Sequence, residues 1–120
     1  MKGKLSLIIA LITLMLFFSH MREVFGMDYE HYEINKLIIT ASTSQDHLKI
    51  ADYYDKEAQK DEEKARFYGS IANSYANRDK PLLGLAKYYT DLSNKYTEMA
   101  QGYKNLATEH RNMAEEVQNN

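Results

Sequence analysis

The residues that most invite chemistry are histidines: His31, His47 and His110, with His20 in the apolar leader. If the chain folds back on itself near residue 80, position 47 falls opposite about 113. His47 and His110 then meet at the open end, with Asp46 and Glu109 beside them. Two imidazoles and neighbouring carboxylates are adequate ligands for zinc, copper or haem iron. The plainer assignment makes His110 a substitute for a seam tyrosine and leaves His47 unpaired in a first helical turn. On that assignment the chain binds no metal and needs no cofactor, and His47 and His110 remain the candidate ligands of a rival reading. No other constellation carries a reaction. There is no nucleophile motif, P-loop or HExxH, and Glu109-His110 has the wrong spacing for a di-iron bundle. Acid–base catalysis needs groups that converge on a pocket, whereas these carboxylates are spread along helix faces, and "DEEK" at 61–64 reads as a solvated one. Ten tyrosines could relay electrons or stack on sugars, but their spacing is that of a packing seam. The chain is read as non-enzymatic.

The elements that hold these residues follow a repeat of seven. Small residues recur at Ala51, Ala58, Ala65 and Ala72, then at Ala86, Ser93, Ala100, Ala107 and Ala114. Three places further on stand Tyr54, Asp61, Tyr68 and Tyr75, then Tyr89, Tyr96, Tyr103 and His110. A third column, Leu85, Leu92, Met99, Leu106 and Met113, precedes the small one in the second arm. A shift of thirty-five residues lays the first arm on the second. Residues three or four apart share a helix face, so the pattern predicts two long helices with a close-packed seam. Small side chains let the axes approach, and each phenol folds over the partner's alanine with its hydroxyl at the wet margin. Apart from Asp61 and Ser93, these residues are assigned to the interaction seam. Asp52–Lys56, Glu62–Arg66 and Asp91–Lys95 are acid-first pairs four apart that support the helices locally.

The predicted fold is therefore all-α, a long antiparallel hairpin with arms about 44–76 and 81–116. "TASTSQDH" holds two overlapping capping boxes, Ser42 with Gln45 and Thr43 with Asp46. In "ANRDKPLLG" Asp79 can cap and Pro81 suits a first helical turn. Gly69 and Gly102 lie inside the arms, where they mark close approach or a bend. "MDYEHYEINKLIITA" puts Ile34, Leu37 and Ile38 on one face of a shorter preceding helix. A lone hairpin buries little core, so a dimer forming a four-helix assembly is expected.

The first eighteen residues, "MKGKLSLIIALITLMLFF", carry two lysines before a run that is apolar except for Ser6 and Thr13. That is the pattern of a secretory signal peptide, with cleavage after "VFG" leaving residues 27–120. An uncleaved anchor is the alternative, although a spanning helix needs about 20 apolar residues. Residues 1–26 carry Lys2, Lys4, Arg22 and Glu23 of the chain's fifteen basic and seventeen acidic residues, so twelve against sixteen remain, a formal charge of −4. Such a surface disfavours nucleic acid and anionic membrane as partners. With no cysteine, disulfides, thiolate chemistry and covalent haem attachment are excluded.

"LSNKYTEMAQGYKNLATEHRNMA", at 92–114, together with the first arm resembles a group of small exported helical-hairpin proteins. Some of these serve as assembly factors or accessory subunits of multihaem oxidoreductases such as hydrazine dehydrogenase. The resemblance spans about residues 47–116 and rests on Tyr96, Ala100, Tyr103, Leu106, Ala107, His110, Arg111, Met113 and Ala114. Many members carry His-Cys where this chain has Tyr88-Tyr89, so a redox role for that pair does not carry over. What the resemblance implies is an accessory protein that binds another protein, its client, through its helix faces, while the export signal points to the periplasm or envelope and the small core to self-association.

Overall fold

The computed structural model describes residues 30–119, and the chain divides into two units between Thr40 and Ala41. The signal peptide expected at 1–26 lies outside the described residues. In the first unit, helix α1 runs through residues 30–40. Of its three expected apolar residues Ile34 is buried, Leu37 half-buried and Ile38 exposed. The second unit is a hairpin of α2 (Ser44–Ala76) and α3 (Leu83–Asn119), which pack closely along their length. No strand occurs among the described residues. At 1.5 Å per residue the arms are about 50 and 55 Å long.

Of the two overlapping capping boxes, the one built on Thr43 forms. Thr43 has extended backbone, and its Oγ1 accepts from Asp46 N at 3.1 Å. The Asp46 carboxylate accepts from Thr43 N at 3.1 Å and Ser42 N at 3.3 Å. Ser42 thus serves the Thr43 box as a donor. These bonds satisfy backbone N–H groups that a helix start leaves orphaned. They also hold the Asp46 carboxyl below its usual range, the Thr43 side chain contributing most.

The chain reverses through residues 77–82, and the start of α3 corrects the expectation for Asp79 and Pro81. Leu82 N donates back to Tyr75 O at 3.0 Å, while Leu82 O accepts the first α3 bond from Ala86 N at 2.9 Å. Leu82 thus ties the start of α3 to the end of α2, its N–H spent on the turn and its carbonyl accepting the first bond of the helix. Pro81 precedes α3, and Asp79 lies in the turn with no capping role.

The seam is built of alanine. Ala51, Ala58, Ala65 and Ala72 on α2 and Ala86, Ala100, Ala107 and Ala114 on α3 are all buried. A buried methyl is worth only about 0.8 kcal/mol, so these residues set the spacing of the axes more than they supply energy. Ser93 stands in the α3 row where an alanine would, and its Oγ donates across the seam to Ala65 O at 2.8 Å. Opposite it is Gly69, where a Cβ would stand 3.3 Å from Ser93 Oγ; at Gly102 a Cβ would meet nothing within 4 Å. Close approach thus explains Gly69 and not Gly102.

The ion pairs differ from those expected. Glu62 reaches across to Lys104 rather than along its own helix to Arg66, and Asp91 pairs with Lys87. Arg111 binds Asp55 across the same side of the seam. A cross-helix partner competes with an i,i+4 partner wherever the register brings it within reach, and one arm read alone does not reveal it.

Candidate functional site

On one side of the alanine seam the large residues form a ladder of rings. Side chains from the two helices alternate along it. From the turn outward, Tyr75 stacks on Tyr89 at 5.6 Å between ring centroids, Tyr89 on Tyr68 at 6.1 Å, and Tyr68 on Tyr96 at 5.4 Å. Beyond a break the ladder resumes with Tyr103 on Tyr54 at 5.9 Å, Tyr54 against His110 at 5.8 Å, and His110 against His47 at 5.4 Å. Every one of these rings is half-buried. Each such contact contributes about 0.5–1.5 kcal/mol beyond area burial. The sequence reading placed each phenol singly over an alanine; the rings also meet one another. The signal for this was present, since both arms carry a ring three places after most of the small residues.

The break is Asp61, only 4% exposed. It occupies the heptad position of the tyrosines, which corrects the reading of "DEEK" as wholly solvated. Its Oδ1 accepts from Lys64 Nζ at 3.0 Å, and that ammonium lies 5.1 Å from the Tyr96 ring centroid. Bonding to Asp61 raises the Lys64 pKa above its ordinary value against the opposing pull of desolvation. A second cation closes the turn end, where the Arg78 guanidinium lies 4.3 Å from the Tyr75 ring centroid.

The open end closes with the histidine pair. His47 Nδ1 and His110 Nδ1 are 3.1 Å apart, a contact the spacing of the arms foretold. Ser93 meets both Ala65 and Gly69 across the seam, and Tyr68 lies between Tyr89 and Tyr96, a register that sets residue 47 level with about 113 as the spacing predicts. The pair forms on the diagonal, as several of the ring contacts do. Burial, and then the neighbouring His47, hold the His110 imidazole below its usual range, so it favours the neutral form. One Nδ1–H can then donate to the other Nδ1. With centroids 5.4 Å and nitrogens 3.1 Å apart, the rings face nearly head-on, as a shared proton requires. A metal at about 2.0–2.1 Å from each nitrogen would sit at the apex of an N–metal–N angle of roughly 100°. Ligands on opposite sides of an iron, at similar bond lengths, would stand about 4 Å apart, so haem does not fit between these nitrogens. Asp46 is committed to its cap, and no group of three or more potential ligands occurs among the described residues.

The Leu/Met column flanks the ladder. Leu92 is half-buried, while Leu85, Met99, Leu106 and Met113 are 42–44% exposed. On the other side of the seam lies a rail of Asp55–Arg111 and Glu62–Lys104, which gives way toward the turn to a shallow groove lined by Gly69, Ala76 and Thr90. The rail residues lie four places after the small ones, the signal by which they could have been found. Comparison with protein-family models, curated proteins and solved structures gave no match.

Proposed function

We propose that this chain is a non-enzymatic exported protein that works through protein–protein contacts, pairing with itself and serving a client as an assembly factor or scaffold in the periplasm or envelope. The observation that supports it is the α3 column, four of whose five large apolar side chains stay more than two-fifths exposed. Contiguous apolar surface of this kind marks contact sites in proteins that otherwise present charge to water. The acidic, mixed-sign remainder favours a protein partner over nucleic acid. Sedimentation equilibrium of the purified protein should give a dimer, and affinity capture from its own envelope extract should recover a client. A monomer at every concentration, recovering nothing, would end the reading.

A second reading, a small metal-binding helical protein, draws on the His47–His110 contact. It requires a tilt of the two rings and water as the remaining ligands. Calorimetric titration with Zn²⁺ tests it, alongside a His110→Ala variant. Absence of heat in the parent protein at micromolar concentrations removes it.

A further inference from the structure

We infer that the ladder face is the surface on which a second copy of this chain docks, antiparallel, with the twofold axis crossing beside Asp61 and Lys64. The inference rests on the self-association proposed above and assigns it a face and a symmetry.

Three observations lead there. The first is position. Along the zigzag from Tyr75 to His47, four rings precede Asp61 and four follow it. On α3, Met99 is likewise the middle of the Leu/Met column. A twofold axis at that level lays rings on rings, Leu85 on Met113, Leu92 on Leu106 and Met99 on itself. The second is charge. Asp61 is almost wholly buried, whereas the Lys64 side chain is 52% exposed and its ammonium lies on the ladder side, over Tyr96. Rotation about the axis brings Lys64 of each copy to Asp61 of the other, four charges of alternating sign at the centre of an apolar face. An isologous interface requires that kind of self-complementarity, and a lone polar element in an apolar seam fixes register.

The third observation is the contrast between the two flanks, which selects the antiparallel arrangement. The α3 column is apolar throughout, but the corresponding α2 positions read Ile50, Glu57, Lys64, Ile71 and Arg78, of which Ile50 is already fully buried and Glu57 largely so within the chain. The antiparallel axis sets α3 on α3, apolar against apolar. The alternative axis, along the hairpin, sets the α3 column on Glu57 and Arg78. Size agrees as well. Leu85 to Met113 runs about 42 Å and two helices are about 20 Å across, a footprint of about 800 Å² that is long and wide enough to hold an interface of standard size.

Charge exchange tests the inference in the full protein. Asp61→Lys and Lys64→Asp each place like charges at the axis, and each should weaken self-association at least tenfold. Mixed in equal amounts, they should recover a heterodimer, because one copy then presents two cations and the other two anions. Helicity by circular dichroism shows whether each variant folds. Should either fail, Met99→Cys supplies a second measurement, since the parent chain has no thiol. Mild oxidation should join Met99→Cys chains into dimers and leave Leu85→Cys chains largely monomeric. A parent dimer indifferent to both charge variants, or a Met99→Cys protein that does not cross-link, places the copies on another face and overturns the inference while the proposed self-association stands. A monomeric parent overturns both.

Discussion

Gly69 and Gly102 lie in the two arms with ordinary helical backbone, so alanine strains neither. At both, Gly→Ala gains about 1 kcal/mol of helix propensity. At Gly102 nothing opposes the gain, since a Cβ there meets no atom within 4 Å. At Gly69 the Cβ meets Ser93 Oγ at 3.3 Å. That hydroxyl cannot retreat freely, because it donates to Ala65 O at 2.8 Å. Retreat sacrifices a bond worth about 0.5–1.5 kcal/mol net, or else the helix axes separate. Gly102→Ala should therefore stabilise by about 1 kcal/mol, while Gly69→Ala falls between a gain and a cost of about 0.5 kcal/mol. Ser93→Ala removes the obstruction, so Gly69→Ala made in that background should recover its full gain, a coupling of about 1 kcal/mol. Urea unfolding of the four proteins of the cycle, at one fixed concentration because self-association shifts the midpoint, measures it. The reasoning is wrong if Gly69→Ala stabilises as much as Gly102→Ala and the coupling lies within about 0.3 kcal/mol of zero.

Two further outcomes follow from the ladder and the cap. Tyr68 stacks on both Tyr89 and Tyr96, whereas Tyr88 is 59% exposed and meets Tyr89 edge-on. In urea unfolding Tyr68→Ala should cost roughly 2–4 kcal/mol and Tyr88→Ala under about 1 kcal/mol, and equal losses would show that the stack carries no special weight. Thr43→Ala should cost about 1 kcal/mol. The Asp46 carboxyl is depressed below its ordinary value of 3.8, so its contribution is fully present above that pH and is lost as pH falls through the folded value. Unfolding free energies followed into acid should show the parent losing more stability than Asp46→Asn below pH 3.8, and parallel curves would refute the assignment.

The parts of this fold legible in the sequence are those that a period of seven encodes. One repeat on each arm locates both helices, the alanine seam and the meeting of His47 with His110. What stayed hidden depends on what lies opposite. Gly69 and Gly102 look alike in sequence, and only the presence of Ser93 across the seam separates them. Glu62 has a suitable partner four residues on in Arg66, yet the register offers it Lys104. The bond from Leu82 N to Tyr75 O joins residues seven apart across a reversal and has no local signature. Tyrosine spacing shows that the rings share a face, but not that rings from two helices interleave on the diagonal.

Asp61 is where these arguments converge. A tyrosine at 61 would complete the stack between Tyr96 and Tyr103 and would avoid the cost of a buried carboxylate, which one half-exposed lysine offsets only in part. A complete stack, however, has no landmark. If one arm slid past the other by a heptad, alanine would still face alanine and ring would still face ring, and the loss would fall mainly on the ends. With Asp61 in place such a slide carries the carboxylate out from between Tyr96 and Tyr103 and inserts it between two other rings of α3. The rail on the far side reinforces this, because Asp55 and Glu62 would lose Arg111 and Lys104 together. A periodic seam thus owes its unique register to its few aperiodic members, and the same carboxylate at the ladder's midpoint gives two copies of the hairpin a common centre.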